Sequence, residues 1–414
     1  MRRLGGAATL MQINSNREVL NKVTFLLGDS DIVKTAENTA PKGIFDDTVI
    51  SFLNDVSREI MKNKAARMYS DVVTFAFWIR KTSMLKMKTR FFEESAPLRL
   101  GRGIAFHIAP SNVPVNFAYS LVSGLLCGNI NIVRVPSKQF PQVDILADAF
   151  AKTLDDYEEL KPFVVLVRYM RDKEINDFFS SVCDVRIVWG GNNTIAELRK
   201  SPLPPRSTEI TFADRFSIAV IDSDAYMDSD DKRGIAENFY NDTYFSDQNA
   251  CTSPRLVVWM GSRIKEAKEL FWKEEHALAA KKYQFQDIQG VNKLTTFCLA
   301  AMEFDCIRKE EGEDNLLFRI NNAEIPDDLM DYRDNSGYFY EYDCKDILEL
   351  RLLCNNMSCQ TIGYIGDSSL FEPLIKSGIK GVDRVVPIGR TMDFDLIWDG
   401  YNLPALMTRT VVIE

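Results

Sequence analysis

From about residue 103 onward, short apolar runs alternate with longer amphipathic ones. Ile104 to Ile108, Ile130 to Val135, Phe163 to Val167 and Val185 to Trp189 are brief and almost wholly apolar, which predicts strands buried on both faces. Between them, Val115 to Cys127, Val143 to Tyr157 and Asp172 to Ser181 predict helices, and Asn192 opens another. Strands alternating with helices imply a parallel sheet covered on both sides. Residues 1 to about 100 read differently, as helices. Val49, Leu53, Val56 and Ile60 fall at helical spacing, as do Met68, Val72, Phe75 and Ile79, and both stripes predict core faces. Arg80 to Arg90 is basic and reads as a solvated segment.

The run Lys200-Ser201-Pro202-Leu203-Pro204-Pro205-Arg206 breaks the alternation, because three prolines fix φ and remove donors. It predicts a boundary. A second α/β unit follows: strand Phe216 to Ile221, helix Gly234 to Phe245, strand Arg255 to Met260 and helix Ser262 to Lys281. Arg308 to Asn315 is a charge run that predicts an exposed loop. Strand-like stretches recur at Tyr338 to Tyr342, Thr361 to Ile365 and Arg384 to Pro387. The division is therefore 1–206, 207–390 and a C-terminal segment 391–414, which packs back on the first unit or forms an oligomer interface.

Composition narrows the function. The net charge of −9, with no long basic block, argues against a nucleic-acid partner and against an anionic lipid surface. The longest apolar segment, Val115 to Cys127, falls short of the roughly 18 residues a spanning helix needs, so no membrane span is expected. The N-terminus, Met1-Arg2-Arg3-Leu4-Gly5-Gly6-Ala7-Ala8, lacks the apolar stretch of a signal peptide. Eight scattered cysteines form no CxxC pair, so no metal site is expected and reduced thiols in a cytoplasmic protein are the simplest reading. Only two histidines are present. That excludes a His-rich metal site and leaves a Cys–His hydrolase few ways to form. His107 reads as a core residue within its strand, and His276 as part of a solvated helix face.

One thiol stands apart. Cys251 lies in Ser246-Asp247-Gln248-Asn249-Ala250-Cys251-Thr252-Ser253-Pro254-Arg255, between an amphipathic helix and the apolar strand Leu256-Val257-Val258-Trp259. A substrate can reach a thiol in a polar, small-residue loop. Cys127, Cys183 and Cys298 sit in apolar stretches and read as core. Upstream, Pro110-Ser111-Asn112-Val113-Pro114 follows a parallel strand at its carboxyl end, where open α/β sheets bind ligands. Asn112 could aim its amide at an oxyanion, or it could merely cap the next helix. Trp189-Gly190-Gly191-Asn192-Asn193-Thr194 could let backbone approach a phosphate, or be an ordinary Gly-containing turn with an Asn cap. At the end of the second strand, Arg134, Ser137 and Lys138 stand where a dinucleotide fold meets the adenosine ribose. No acid is there to repel a 2′-phosphate, which favours NADP(H); the alternative is a solvated basic loop.

Taken in order, PSNVP, R-V-P-S-K, W-G-G-N-N, the Pro-rich joint and Cys251 resemble the aldehyde dehydrogenase superfamily. More narrowly the chain resembles the LuxC family of fatty acyl-CoA reductases, through Gly103 to Lys138, Phe216 to Asp224, Asp247 to Pro254, Asp383-Arg384-Val385-Val386-Pro387-Ile388-Gly389 and Trp398-Asp399-Gly400. The likeness covers most of residues 45 to 410. It implies an aldehyde dehydrogenase-like α/β fold: two open, doubly wound parallel-sheet domains with a helical N-terminal region. The first domain would bind NADPH, through Pro110, Ser111, Arg134, Ser137, Lys138, Gly190, Gly191 and Asn192, and the second would carry Cys251. It implies reduction of a fatty acyl thioester to an aldehyde, with Cys251 as nucleophile and Asn112 as the oxyanion asparagine. The acyl donor would be acyl-CoA or an acylated partner protein of the acyl-protein synthetase type, and the enzyme a homo-oligomer. Hydrolytic members carry E-L-G-G-K, whose glutamate activates water. Here Glu209-Ile210-Thr211-Phe212-Ala213 stands nearby without the glycines, which makes Glu209 a possible base only. Two rival readings remain: an NAD(P)-dependent aldehyde dehydrogenase using Glu209, and a redox-inactive subunit that carries acyl-Cys251.

Overall fold

A computed structural model describes residues 18–91 and 98–413. The basic N-terminal octapeptide lies outside them. The chain divides into two compact units, one running to Ala213 and resuming at Leu396, the other spanning Asp214–Asp395.

In the first unit the strands are β1 (Thr24–Leu27), β2 (Leu98–Gly101), β3 (Ile104–Ile108), β4 (Ile130–Arg134), β5 (Val164–Arg168), β6 (Val185–Trp189) and β7 (Thr208–Phe212). Six of them form one sheet in the order β1-β5-β4-β3-β6-β7. Every neighbouring pair is parallel except β1 with β5. The chain winds outward from β3 through β4 to β5, then returns to β6 beside β3 and winds the other way to β7. The strand order thus reverses between β3 and β6. Crevices at the carboxyl ends of such a pair are where doubly wound sheets take ligands.

The apolar runs form strands here because helices cover them. Phe106, Ile132 and Val165 share a core with Leu121 and Leu125 of helix Asn116–Leu126, Leu146 and Phe150 of helix Pro141–Leu154, and Phe179 of helix Lys173–Val182. Helix Asp47–Lys62 is capped by the Asp46 carboxylate and buries Val49, Leu53, Val56 and Ile60 completely, as its spacing predicts. The second stripe is broken. Val72, Phe75 and Ile79 are buried, but Met68 lies 80% exposed on the short turn Ala65–Met68. The basic segment is helix Lys81–Phe91, solvated except for Met84 and Met87.

The Pro-rich joint is not where the first unit ends. Strand β7 follows it and pairs with β6, so one more strand belongs to the first sheet than the division at residue 206 allows. The C-terminal segment joins this unit too, from Leu396 rather than 391. Leu396 is fully buried in its core, and the C-terminal strand Thr408–Val411 pairs antiparallel with β2.

In the second unit the strands are β8 (Phe216–Asp222), β9 (Pro254–Met260), β10 (Ile307–Lys309), β11 (Phe318–Asn322), β12 (Tyr338–Asp343), β13 (Cys359–Ile365) and β14 (Arg384–Pro387), in the order β10-β11-β12-β9-β8-β13-β14. Only β10 runs antiparallel to its neighbour. Successive residues of β9 face opposite sides. Val257 and Trp259 pack with Phe239 and Phe271, while Leu256 and Val258 pack with Ile320 and Ile362.

Two expectations fail here. Helix Asp287–Glu303 turns its apolar stripe of Ile288, Val291, Leu294, Leu299 and Met302 outward and buries only Gly290, Lys293 and Ala300. Cys298 lies exposed on it rather than in the core. The charge run is partly ordered, since Arg308 and Lys309 belong to β10. Among the described residues, no helix is long and apolar enough to cross a membrane.

Candidate active site

Cys251 sits at the amino end of β9, on a loop built from an unusual backbone. After helix Lys232–Asp242 and the turn Tyr244–Ser246, Asp247 and Gln248 both take positive φ, 52° and 53°. Non-glycine residues pay roughly 1–2 kcal/mol each for that conformation. Side-chain bonds hold it. The Gln248 amide is fully buried; its Nε2 donates to the carbonyls of Pro254 (3.1 Å) and Tyr338 (3.1 Å). Its Oε1 accepts from the N–H groups of Gly337 (2.8 Å) and Tyr338 (3.1 Å). Asp247 Oδ1 accepts from Ser336 Oγ at 2.7 Å and from the Tyr283 hydroxyl.

This scaffold leaves Cys251 half-buried, with Asn249 exposed before it and Thr252 and Ser253 buried after it. Ser217 on β8 donates to the Cys251 carbonyl at 2.8 Å. Thr252 Oγ1 meets Met392 Sδ at 3.1 Å. The turn that carries Met392 is tied down in its own right: Asp242 accepts from the N–H groups of Gly389 (2.6 Å) and Thr391 (3.2 Å). Four other thiols are disfavoured as thiolates by their surroundings. Burial pushes Cys127, Cys183 and Cys344 up to about 12. Cys359 is raised well above its ordinary value by its hydrogen bond with the Cys354 thiol and by burial.

In the first unit, register places Ile108 opposite Val188. The turn Pro110-Ser111-Asn112 and the turn Gly190-Gly191-Asn192 therefore leave neighbouring strand ends at the point of reversal. Ser111 and Asn112 are exposed, and Pro110, Gly190 and Gly191 are half-buried. Neither asparagine is a cap. Helix Asn116–Leu126 is preceded by Val115 with no side-chain bond, and Gly191 holds the cap position of helix Asn192–Leu198. Beneath lies a buried network that the sequence does not announce. Ser120 Oγ accepts from Trp189 Nε1 at 3.0 Å and lies 2.7 Å from His107 Nδ1, while His107 Nε2 lies 3.0 Å from Asn131 Oδ1. Burial holds the His107 imidazole down at about 4.

At the end of β4 the Arg134 guanidinium lies 4.7 Å over the Tyr169 ring and donates to the Tyr169 carbonyl at 3.3 Å. Its Nε is buried without a hydrogen-bond partner. Ser137 is half-buried, and Lys138 is exposed with its ammonium 5.1 Å from the Phe140 ring. Arg168 and Arg171 follow from the end of β5. Arg168 donates to the Pro136 carbonyl at 3.2 Å, and the Arg171 charge disfavours that of Arg134. An unpartnered buried donor among several cations is a fit for an anionic group of a nucleotide.

Residues 82–409 match the acyl-CoA reductase (LuxC) family. The chain belongs to that family. Among its relatives are long-chain acyl-protein thioester reductases. That of Photorhabdus luminescens is 25% identical over 218 residues, 50% of this chain and 43% of the relative. That of Photobacterium phosphoreum is 22% identical over 296 residues, 70% of this chain and 57% of the relative. The matches thus span about half of these curated relatives or less. Solved structures place this LuxC-family chain in the aldehyde dehydrogenase fold. Lactaldehyde dehydrogenase superposes with a TM-score of 0.64 at 13% identity, covering 97% of this chain and 91% of that one. A 1-pyrroline-5-carboxylate dehydrogenase gives 0.59 at 12% identity, covering 99% and 96%.

Glu209, the possible base, is committed elsewhere in this LuxC-family chain. On β7 its carboxylate accepts from Arg186 Nε at 2.9 Å and from Arg199 Nε at 2.7 Å. Burial raises its pKa, but the two guanidiniums more than offset this and hold it below its ordinary value. A carboxylate clamped between two cations is a weak proton acceptor. The water-activating role expected of a hydrolytic dehydrogenase is therefore disfavoured at this position.

Proposed function

We propose that this chain reduces a fatty acyl thioester to the aldehyde with NADPH, through an acyl-Cys251 intermediate. The observation that carries the reading is the Cys251 loop itself. In a LuxC-family chain, it presents one half-buried thiol on a polar, braced backbone while four other cysteines are pushed toward inertness. The Cys251 sulfur attacks the acyl carbonyl carbon. The bond to the departing thiol breaks, that thiol takes a proton from solvent, and the acyl group stays on Cys251. The Cys251 N–H is one donor for the oxyanion, and Asn112 enters as a second through its match to the superfamily's asparagine. A reduced nicotinamide, when bound, supplies hydride to the acyl carbonyl. Expulsion of the Cys251 sulfur then frees the aldehyde and restores the thiolate.

Arg134, Ser137 and Lys138 would hold the adenosine end of the cofactor, and Pro110, Ser111, Gly190, Gly191 and Asn192 would line its approach. A glutamate at position 137 would repel a 2′-phosphate and a serine does not, which supports NADPH over NADH. The curated relatives are named for acyl-protein thioesters. The proposed donor is accordingly an acylated partner protein or acyl-CoA. The Glu209 ion pairs weigh against the oxidising alternative.

Intact-mass measurement tests the reading. Mixed with acyl-CoAs of several chain lengths, the wild type should gain one acyl mass and lose it when NADPH is added, with aldehyde appearing. Cys251→Ser should gain nothing while still binding NADPH. An adduct on the serine variant, or none on the wild type at any chain length, overturns the proposal. An adduct that NADPH leaves intact selects the redox-inactive carrier instead.

A further inference from the structure

Val291 and Leu294, on the outward side of helix Asp287–Glu303, are each more than half exposed. They wall an open cavity of about 470 Å³, with Phe285 and Phe318 opposite and Asn315 and Lys309 beside them. The Phe318 side chain is buried, and its ring stacks on that of Tyr338 with centroids 5.4 Å apart. The Lys309 ammonium lies 5.0 Å from the Phe318 ring on the exposed side. Small-molecule pockets run to roughly 300–1,000 Å³ and are lined mainly by apolar and aromatic side chains. Apolar surface left open to water at such a place marks a ligand groove or a docking face.

The cavity lies at the same end of the sheet as Cys251. Pro254 begins β9 three residues after Cys251, Tyr338 begins β12 and Phe318 begins β11. Phe318 stands in register with Tyr338, and Gln248 Nε2 bonds the carbonyls of both Tyr338 and Pro254. A single residue joins the cavity floor to the Cys251 loop. The Gly337 carbonyl accepts from the Phe318 N–H at 2.8 Å, and the Gly337 N–H donates to Gln248 Oε1 at 2.8 Å. The helix is tied to the same place. Thr296 Oγ1 donates to Asp334 at 2.7 Å, and the next residue, Asn335, donates through Nδ2 to Asn249 Oδ1 at 3.0 Å.

These contacts bound the separation. Neighbouring strands lie about 4.8 Å apart, so the two steps from β9 to β11 put Phe318 about 10 Å from Pro254. An extended hydrocarbon gains about 1.2 Å per bond, as the extended backbone does, so about eight carbons cover that distance. The tail of a longer chain must leave water somewhere within its own length of Cys251. It needs no hydrogen bonds from its surroundings, only apolar contact, which walls of Phe, Val and Leu supply.

We propose that this cavity receives the far end of the fatty acyl chain presented to Cys251, with Val291 and Leu294 setting the chain length that is favoured. The assignment rests on the reading of Cys251 as the residue that meets the acyl group.

The test is calorimetric binding of butanoyl-, octanoyl- and dodecanoyl-CoA to the full chain carrying Cys251→Ala, which has no sulfur to acylate. Butanoyl- and octanoyl-CoA should bind alike. Dodecanoyl-CoA should bind at least about tenfold more tightly, because each methylene that leaves water adds up to about fourfold. Leu294→Glu in the same background should weaken dodecanoyl-CoA at least about fivefold, through the charge set against its tail, and leave butanoyl-CoA unchanged. Val291→Trp fills the cavity and should abolish the advantage of dodecanoyl-CoA over octanoyl-CoA. Leu352→Glu, on the exposed helix Arg351–Asn355, removes an apolar surface group elsewhere and should match the parent. Equal affinity for octanoyl- and dodecanoyl-CoA overturns the proposal without any further variant. So does a Leu294→Glu protein that weakens every chain length alike, or none. A Leu294→Glu protein that changes the sedimentation coefficient while keeping the chain-length preference assigns this face to a second copy, and the proposal fails. Leu294-dependent binding of dodecanoyl-CoA with no acyl adduct on the wild type at any length refutes the acyl-Cys251 reading and leaves the chain site standing.

Discussion

Arg255 donates to the main-chain carbonyl of Gln248, closing a strap from the first turn of β9 back to a residue at φ 53°, three positions before Cys251. Gln248 in turn bonds through its side chain to the segment that starts β12. The Cys251 loop is therefore fixed to β9 and to the segment that starts β12. Rigid placement of a reacting group is worth several kcal/mol of barrier when its geometry is right.

Gln248→Ala should expose how much that bracing matters. The change removes four side-chain hydrogen bonds and leaves two buried N–H groups and two buried carbonyls without them. Each lost partner costs about 1 kcal/mol or more, so a loss of roughly 3–4 kcal/mol in urea unfolding is expected. Alkylation and acylation of Cys251 should slow in the same variant. A loss below about 1 kcal/mol would show the loop to be held by other contacts.

Glu209→Gln separates the ion pair from the base it might have been. Arg186 is 2% exposed, so the variant leaves a buried guanidinium without its anion. Removing one member of a buried pair costs about 3–5 kcal/mol. The half-exposed Arg199 pair adds little. Thermal unfolding should register the loss, whereas acyl adduct formation on Cys251 should persist below the new melting point. Loss of the adduct in a folded Glu209→Gln protein would return this residue to the chemistry.

How much of this was readable in the sequence varies with the kind of contact. The strands β3, β4, β6 and β9 are buried on both faces, so their continuous apolar runs announce them. Strand β1 does not, because Thr24–Leu27 pairs antiparallel at the sheet edge and is only partly covered. Helix Asp287–Glu303 carries Ile288, Val291, Leu294, Leu299 and Met302 along one exposed side while Gly290, Lys293 and Ala300 fill its buried side, so its apolar stripe marks the outward face rather than the packed one. At the site, the polar loop marks Cys251 because the signal lies within ten consecutive residues. Arg255 and Asp242 carry no such mark. Their partners stand at Asn335 and Gly389, and only the fold brings those distant segments together. Ser120 and Asn131 around His107 were hidden for the same reason.

Ser137→Glu should reverse the cofactor preference. The residue follows β4 at the strand end where a dinucleotide fold meets the adenosine ribose, beside Lys138 and near Arg134. A glutamate there would accept from a 2′-hydroxyl and repel a 2′-phosphate. The KM for NADPH should rise at least tenfold while that for NADH falls. Unchanged preference would place the ribose elsewhere.

Asp242 gives the fold a pH dependence opposite to that of an ordinary ion-paired carboxylate. Burial raises it from 3.8 to about 7, more than the Gly389 and Thr391 N–H groups can offset. The folded chain therefore keeps this proton between about pH 4 and 7, where the unfolded chain releases it. The resulting stabilisation is fully present below the unfolded value and is lost as pH rises through the folded one. The buried neutral His107 acts the other way below about pH 6.5, so urea midpoints should fall most clearly between pH 6.5 and 8 in the wild type. In Asp242→Asn they should fall less, by the share of this one group, since Glu275 is also raised by burial and acts in the same direction. The Asn variant should match the wild type near pH 5 and exceed it at pH 8. Because Thr391 and Met392 form one turn against Thr252, the Cys251 alkylation profile should shift little in this variant if the turn keeps its place. A wild-type stability that rises across the same window, with Asp242→Asn flat, would mean that Asp242 is ionised in the folded chain at pH 5.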